Sequence, residues 1–234
     1  MQTIALSHLF YMLAPLIIVA FFYYRWLDDA KELGYATLRM VSQLLLIGYA
    51  LTFLFSQSSW WLGLCIILIM ISISSVIALR SLKEKNLYDY TILFASIALG
   101  GSFNLLIVLV LVLEIKPLYT PSIVIPLAGM IYANAMNAVA LSAERFENEI
   151  AIHSYEKARS IAFKASMIPQ INSFLAVGLV SLPGMMTGQI LSGVDPLIAV
   201  RYQIVVMAMV LGSSGISTIL FLIWKKKTLR SLES

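Results

Sequence analysis

The chain is built almost end to end from apolar runs about twenty residues long, separated by short polar breaks, and this pattern continues from residue 6 to residue 224. A helix rises about 1.5 Å per residue, so about twenty apolar residues cover the roughly 30 Å hydrocarbon core of a bilayer. Only 12% of the residues are charged, 60% are apolar, and the mean hydropathy is +0.90. An ordinary soluble domain carries about 25% charged residues, so a water-soluble globule is excluded. No polar stretch is long enough to fold as a separate soluble domain. The expected fold class is all-α: a polytopic membrane helix bundle, with residues 1–234 forming a single transmembrane domain.

Seven segments are long enough to cross, at residues 6–24, 38–55, 60–79, 91–113, 123–142, 171–190 and 204–224. The sixth contains Gly178, Ser181, Pro183, Gly184 and Gly188, so it is the one expected to be broken or partly re-entrant. No Lys or Arg precedes the first segment and no small-residue cleavage site follows Tyr24, which favours a mature span over a signal peptide. Cations accumulate in short cytoplasmic loops. With seven crossings and a cytoplasmic C-terminus, the inner side collects Arg25, Lys31, Arg39, Arg80, Lys83, Lys85, Arg145, Lys157, Arg159, Lys164, Lys225, Lys226, Lys227 and Arg230. Of the 16 cations only Lys116 and Arg201 fall outside. This sorting predicts an outside N-terminus and a multi-pass protein of the inner or plasma membrane. Trp26, Trp60, Trp61 and Trp224 lie at segment ends, where indoles sit well among headgroups. The formal charge of +4 and pI near 9.1 then reflect loop asymmetry rather than a nucleic-acid partner.

Several chemistries have no residues to support them. Cys65 is the single cysteine, so an intrachain disulfide or thiolate cluster cannot form. The sequence contains no G-x-x-x-x-G-K-[ST], hence no phosphate cradle of its own. His8 and His153 fall on opposite sides of the expected topology and cannot share a metal or an active site. No Ser/His/Asp or Cys/His arrangement is present, and the chain is expected to have no catalytic residues, no cofactor of its own and no enzymatic activity.

Polar side chains inside a membrane are more informative than its apolar bulk. At 100° per residue Met130, Asn134, Asn137, Leu141 and Glu144 fall on one stripe of the fifth segment, from mid-bilayer to its cytoplasmic end. Amide oxygens, a thioether and a terminal carboxylate would line a low-charge cation route. Helix packing is the competing reading, through Asn pairs and the small-xxx-small pair Gly129 and Ala133. A second stretch, residues 177–196, concentrates Gly and Pro, which free carbonyls and allow close approach, as in transporter substrate sites. Met185 and Met186 offer soft sulfur ligands or simple core filling, and Gly184 with Gly188 offers a helix contact. In the longest cytoplasmic stretch, Phe146, Ile150, Ala158, Ile161, Ala165 and Ile168 form a loose apolar face. It would suit a groove on a soluble partner or the inner leaflet.

Certain runs carry a family likeness: Gln43 with Gly48-Tyr49, Gly129-Met-Ile, Asn134-Ala-Met, Ile168-Pro169, Val177-Gly-Leu-Val-Ser-Leu-Pro-Gly-Met-Met, Asp195-Pro196 and Tyr202-Gln-Ile. Together they resemble the FetB-type permease family of ABC transporters, associated with iron export, over most of the chain. The resemblance implies a permease domain that dimerises, pairs with two copies of a cytoplasmic ATPase binding ATP-Mg, and moves metal, iron in the first place, out of the cytoplasm. The chain departs from longer family members in the interval between Asn134 and Pro169, which is compact and lacks glycine from Glu144 to Ile168, where those members carry a Gly-containing docking turn.

The expected translocation path comprises Met130, Asn134, Asn137, Glu144, Ser181, Pro183, Gly184, Met185 and Met186, with Glu144, Met185 and Met186 as metal ligands. Coupling to the ATPase is expected at residues 149–164, through Glu149, Glu156, Ala158, Arg159 and Lys164. Two rivals remain at this point: an ion-coupled carrier or channel without an ATPase, and an ABC permease for another cargo such as a nucleotide sugar.

Overall fold

The structure is a computed structural model that describes residues 5–27, 30–56, 59–83, 85–117 and 119–233. The side chains of Lys227 and Arg230, two of the cations sorted above, lie outside what is described. Its described elements are helical: α1 (Leu13–Leu27), entered through a 3-10 turn at Leu6–Met12, α2 (Ala30–Ser56), α3 (Trp60–Leu79), α4 (Leu87–Leu106), continued by a π-helical turn at Ile107–Val112, α5 (Pro121–Ile150), α6 (Tyr155–Ala176), α7 (Gly184–Leu191) and α8 (Pro196–Glu233). The chain divides into two compact units, Met1–Gln57 and Ser58–Ser234.

Among the described residues six helices are long and apolar enough to cross a membrane: Ser7–Leu27, Lys31–Phe55, Trp60–Leu79, Leu87–Val112, Pro121–Ile150 and Pro196–Lys226. They correspond to six of the seven expected segments, and the protein is a polytopic helix bundle. The remaining segment, residues 171–190, is not one rod. Its first residues finish α6, a turn follows, and α7 supplies the rest. Gly178 adopts φ +83°, open to glycine without penalty, while Pro183 caps the start of α7. Inside the turn the N–H groups of Val180 and Ser181 donate to Ala176 O at 2.8 and 3.1 Å, and Gly178 N–H donates to Ser181 O at 2.9 Å.

In the first unit α1 and α2 pack as a pair, and Tyr23 OH donates to Glu32 Oε2 at 2.8 Å. Their surfaces are dominated by exposed Leu, Ile and Phe, such as Phe10, Ile17 and Leu46, as suits a lipid-facing or subunit-facing helix.

The second unit holds the core. Leu93 and Ile97 of α4, Ile131, Tyr132 and Val139 of α5, and Phe221 and Leu222 of α8 are almost fully buried, with Ala158 and Ala162 of α6 packed against them. Lipid tails are as apolar as leucine, so close packing rather than water exclusion must hold such helices together. One tight seam lies between α4 and α8. A Cβ on Gly100 would meet Ser217 N at 2.7 Å and Ser217 Cα at 2.9 Å, and one on Gly212 would overlap the Asn104 carboxamide. Ser96, Ser214, Ser217 and Thr218 are buried in these helices without a hydrogen-bond partner; their small size matches the close approach. By contrast, a Cβ on Gly129 would meet only Met70 Cε at 3.4 Å, and Gly184 and Gly188 have nothing within 4 Å. The glycine pairs singled out from spacing are therefore not the tight contacts within this chain. The seam was hidden because its partners come from helices distant in sequence.

The loops richest in charge gather at one end of this unit. Asp89, 3% exposed, pairs with Lys225 Nζ at 2.5 Å and joins the start of α4 to the end of α8. Asn86 Oδ1 accepts from Asp89 N at 2.7 Å and caps α4, while Glu147 Oε2 accepts from Lys83 N at 2.8 Å.

Two outcomes follow. Gly100→Ala pushes a methyl into the α8 backbone and should lower stability by about 1–3 kcal/mol, whereas Gly129→Ala should be tolerated; thermal unfolding in detergent compares the two. Asp89→Asn strands the Lys225 ammonium and should cost about 3–5 kcal/mol, most of it restored in an Asp89→Asn/Lys225→Met variant by the same measurement.

Candidate functional site

The α5 stripe read from the sequence faces a cavity. Met130, Asn134, Asn137 and Leu141 line a space of about 520 Å³ together with Ser166, Pro169, Gln170 and Ser173 of α6 and Val206, Met207 and Val210 of α8. Asn134 Nδ2 donates to Met130 O at 2.8 Å, the helix-internal bond expected of a polar side chain at this depth, and leaves its carboxamide oxygen for the cavity. Ser166 Oγ donates to Phe163 O at 2.8 Å. Pro169 has no N–H, so the carbonyl one turn earlier loses its helical partner beside the same space.

Two further cavities adjoin through shared methionines. Met130 also lines a space of about 580 Å³ with Ser122, Pro126, Met185, Gln189 and Tyr202. Met207 also lines one of about 350 Å³ with Phe174, Gly178, Met186 and Gln203. Along α5 the first two cavities run from Ser122 to Leu141, about 28 Å at helical rise, close to the hydrocarbon thickness. Apart from Tyr202, the residues lining these three cavities carry no ionisable side chain. Their polar groups are amides, hydroxyls and thioethers. Gln189 Oε1 and Gln203 Oε1 are buried with no hydrogen-bond partner.

The expected path residues thus separate. Met130, Asn134 and Asn137 meet in the central cavity, Met185 joins Met130 in the second, and Met186 lines the third. Ser181 and Pro183 lie in the turn before α7 and Gly184 opens that helix, and none of them lines the three. Glu144 is exposed near the charged end of α5, beyond the last cavity residue, Leu141. Fourteen residues of helix, about 21 Å, separate it from Met130, which shares a cavity with Met185. Glu144, Met185 and Met186 are therefore not brought together as one set of ligands, because the sequence stripe does not show how far apart its ends lie.

At the charged end the expected coupling residues take different roles. Of the apolar face read at residues 146–168, Phe146 and Ala158 are buried in the chain's own core, Ile150, Ile161 and Ala165 are half-buried, and Ile168 is 48% exposed. Its continuity fails, since α5 ends at Ile150 and α6 begins at Tyr155. Glu149, 7% exposed, accepts Arg145 Nη2 at 2.8 Å and lies 3.4 Å from His153 Nε2. Tyr155 OH donates to Leu222 O at 2.9 Å and its ring packs edge-on against Phe146. Lys226 Nζ sits 4.5 Å from the centre of that ring and 3.3 Å from Glu156 Oε1, and Arg159 covers it at 5.5 Å. The Glu156 carboxyl is held below its ordinary value, first by its own backbone N–H and then by Lys226; burial pushes the Tyr155 phenol up. Glu156, Arg159 and Lys164 remain exposed.

Residues not singled out beforehand complete the site: Ser166, Gln170 and Ser173 of α6, Gln189 of α7, and Gln203 and Met207 of α8. The α6 trio repeats at helical spacing and was legible as a stripe, but a boundary drawn between a cytoplasmic stretch and a span at residue 171 cut it in two.

Comparison with known proteins agrees with this architecture. The family described as "Uncharacterised protein family (UPF0014)" matches residues 5–156 and 151–229. The Synechocystis membrane protein slr1647 of that family is 34% identical over 220 residues, covering 86% of this chain and 84% of the relative. Escherichia coli FetB, named a probable iron export permease protein, is 32% identical over 206 residues, 81% of this chain and 78% of the relative. The Arabidopsis thaliana protein ALUMINUM SENSITIVE 3 is 30% identical over 225 residues, 89% of this chain and 81% of the relative. No solved structure matches. A helix bundle with six long apolar helices, matched by this family over nearly its whole length, is a multi-pass integral membrane protein of the UPF0014 family.

Proposed function

We propose that this chain is the permease subunit of an ABC transporter that exports a metal ion, iron being the cargo suggested by the name of the Escherichia coli relative. The observation that carries the reading is the cavity in which the polar stripe of α5 meets that of α6. Its neutral donors suit a cargo that must be released again, since conduction needs weak, multiple sites. The fuel comes from a separate cytoplasmic ATPase that binds ATP-Mg, and the permease dimerises in the membrane.

Coupling runs through α6. The helix is continuous from Tyr155 to Ala176, so Arg159 and the cavity residue Gln170 ride on one element about 17 Å apart. The ATPase grips the exposed Glu156, Arg159 and Lys164 at the charged end, which is the cytoplasmic end in this proposal. Closure of the ATPase pair rocks α6 about Pro169, and the contacts of Tyr155 with Leu222 and Lys226 carry the movement to α8. Access to the central cavity then alternates. Glu144 attracts cations at the inner mouth.

Reconstituted with its co-purified ATPase, the chain should move iron across liposomes only when ATP is hydrolysed; an equal rate without ATP removes the ABC reading in favour of an ion-coupled carrier or channel. Glu144→Gln should slow transport several-fold at limiting metal while leaving the melting temperature unchanged; wild-type flux takes Glu144 out of the entry route.

A further inference from the structure

We infer that the central cavity is half of a site, closed by a second copy of this chain that packs on the exposed face of α5 and α6 across a two-fold axis normal to the membrane. The inference rests on the permease reading and deepens it by naming what completes the cavity. Asn137, Leu141, Pro169 and Ser173 line the space and are themselves exposed, so the cavity is open along the wall they form.

That wall differs in chemistry from the other outward faces of this unit. Midway along α3 and α4 the exposed side chains are Leu68, Ile69, Ile73, Leu99 and Phe103, which suit lipid tails. Near the middle of the 30-residue α5 they are Ala133 and Asn137, and α6 adds Pro169, Asn172 and Ser173 among its exposed isoleucines. The side chains of Asn137, Asn172 and Ser173 form no hydrogen bond among the described residues. An amide without a partner is costly in hydrocarbon, so polar side chains at this depth face protein or water rather than lipid.

A second copy fits this face. A carboxamide both donates and accepts, so a face of amides and hydroxyls is its own complement. Two copies inserted the same way and related by a two-fold axis present each residue to its counterpart at equal depth, which sets Asn137 against the partner subunit's Asn137. Such amides bond across helices, and Ala133, one turn away, lets the two α5 helices approach. Each copy brings a space of about 520 Å³ with Asn134 and Asn137 on its wall. Glu144 is exposed on the same stripe, about 10 Å nearer the charged end at helical rise. The joined chamber therefore carries one carboxylate from each copy at its inner mouth.

The test is cross-linking of the full chain in lipid nanodiscs. Cys65 is the single cysteine and is exposed on α3, so each probe cysteine is placed in a Cys65→Ala background and treated with a short bifunctional maleimide. Asn137→Cys and Ala133→Cys should each give a covalent dimer, and Ile69→Cys and Phe103→Cys, on the apolar faces, should give several-fold less. Ala133→Leu should lower the dimer population in native mass spectrometry by about tenfold, as an overfilled contact does, with circular dichroism unchanged. Monomer alone from both α5 positions, or dimer formed equally through Ile69→Cys or Phe103→Cys, overturns the interface. Vesicles holding the intact complex separate this from the permease reading. A covalent dimer through Asn137→Cys with no ATP-driven flux in the wild type removes the ABC reading and leaves the interface. ATP-driven iron efflux by a complex whose copies cross-link only through α3 or α4 removes the interface and leaves the permease.

Discussion

Lipid offers a polar group nothing to bond to, and this fixes more of the molecule than any single contact. Every backbone N–H and carbonyl at bilayer depth must find its partner within the protein. Hydroxyls along the helices turn back on their own backbone: Ser72 Oγ donates to Leu68 O at 2.8 Å, Ser75 Oγ to Ile71 O at 2.7 Å and Thr91 Oγ1 to Leu87 O at 2.9 Å. Where the chain leaves helical geometry near residues 177–183 the same demand applies, and Thr187 answers it by donating N–H and hydroxyl to Pro183 O at 3.0 and 3.1 Å. A charge is treated likewise, since buried Asp89 is matched by Lys225.

Against that background the unmet groups stand out. The carboxamide oxygens of Gln189 and Gln203 lack partners and border cavities, and Asn134 commits only its NH2 to the helix. Removing a buried acceptor from water without a new partner costs about 1–3 kcal/mol. The fold bears the same cost at Ser96, Ser142, Ser214, Ser217 and Thr218, whose hydroxyls are also buried without a partner, so packed seams and cavity walls share it. In the seam between α4 and α8 the serines are there because glycine and serine let backbones approach closely.

The spans were largely readable because apolar length is a one-dimensional property. Six segments needed no tertiary knowledge, and Gly178 and Pro183 marked the break in the seventh. The α5 stripe was readable for the same reason: Met130, Asn134, Asn137 and Leu141 share one face by helical period alone, and that face does line the cavity. Pairings across helices were not readable. Nothing local tells Asp89 from its solvated neighbours, because its partner lies 136 residues away. Met185 and Met186 are adjacent in sequence yet point into different cavities, as helix geometry turns successive residues about 100° apart. The apolar residues Phe146 and Ala158 suggested a docking face only because periodicity cannot say whether the surface they cover belongs to another molecule or to the same chain.

One helix, α6, links the charged end of the second unit to the central cavity. α6 begins among charges, where Tyr155 is pinned to α8 by a hydrogen bond and flanked by Lys226 and Arg159. Its other half supplies Ser166, Pro169, Gln170 and Ser173 to the cavity wall. A continuous helix can carry a displacement along its length, and Pro169, placed between the charged end and the last cavity residue, gives it a place to bend. If charge at one end is where force is applied, the polar stripe at the other cannot stay still, and the cavity changes shape with it. Flexible loops would absorb such a push. The short break from α5 to α6, which contains no glycine, leaves little slack in which to lose it.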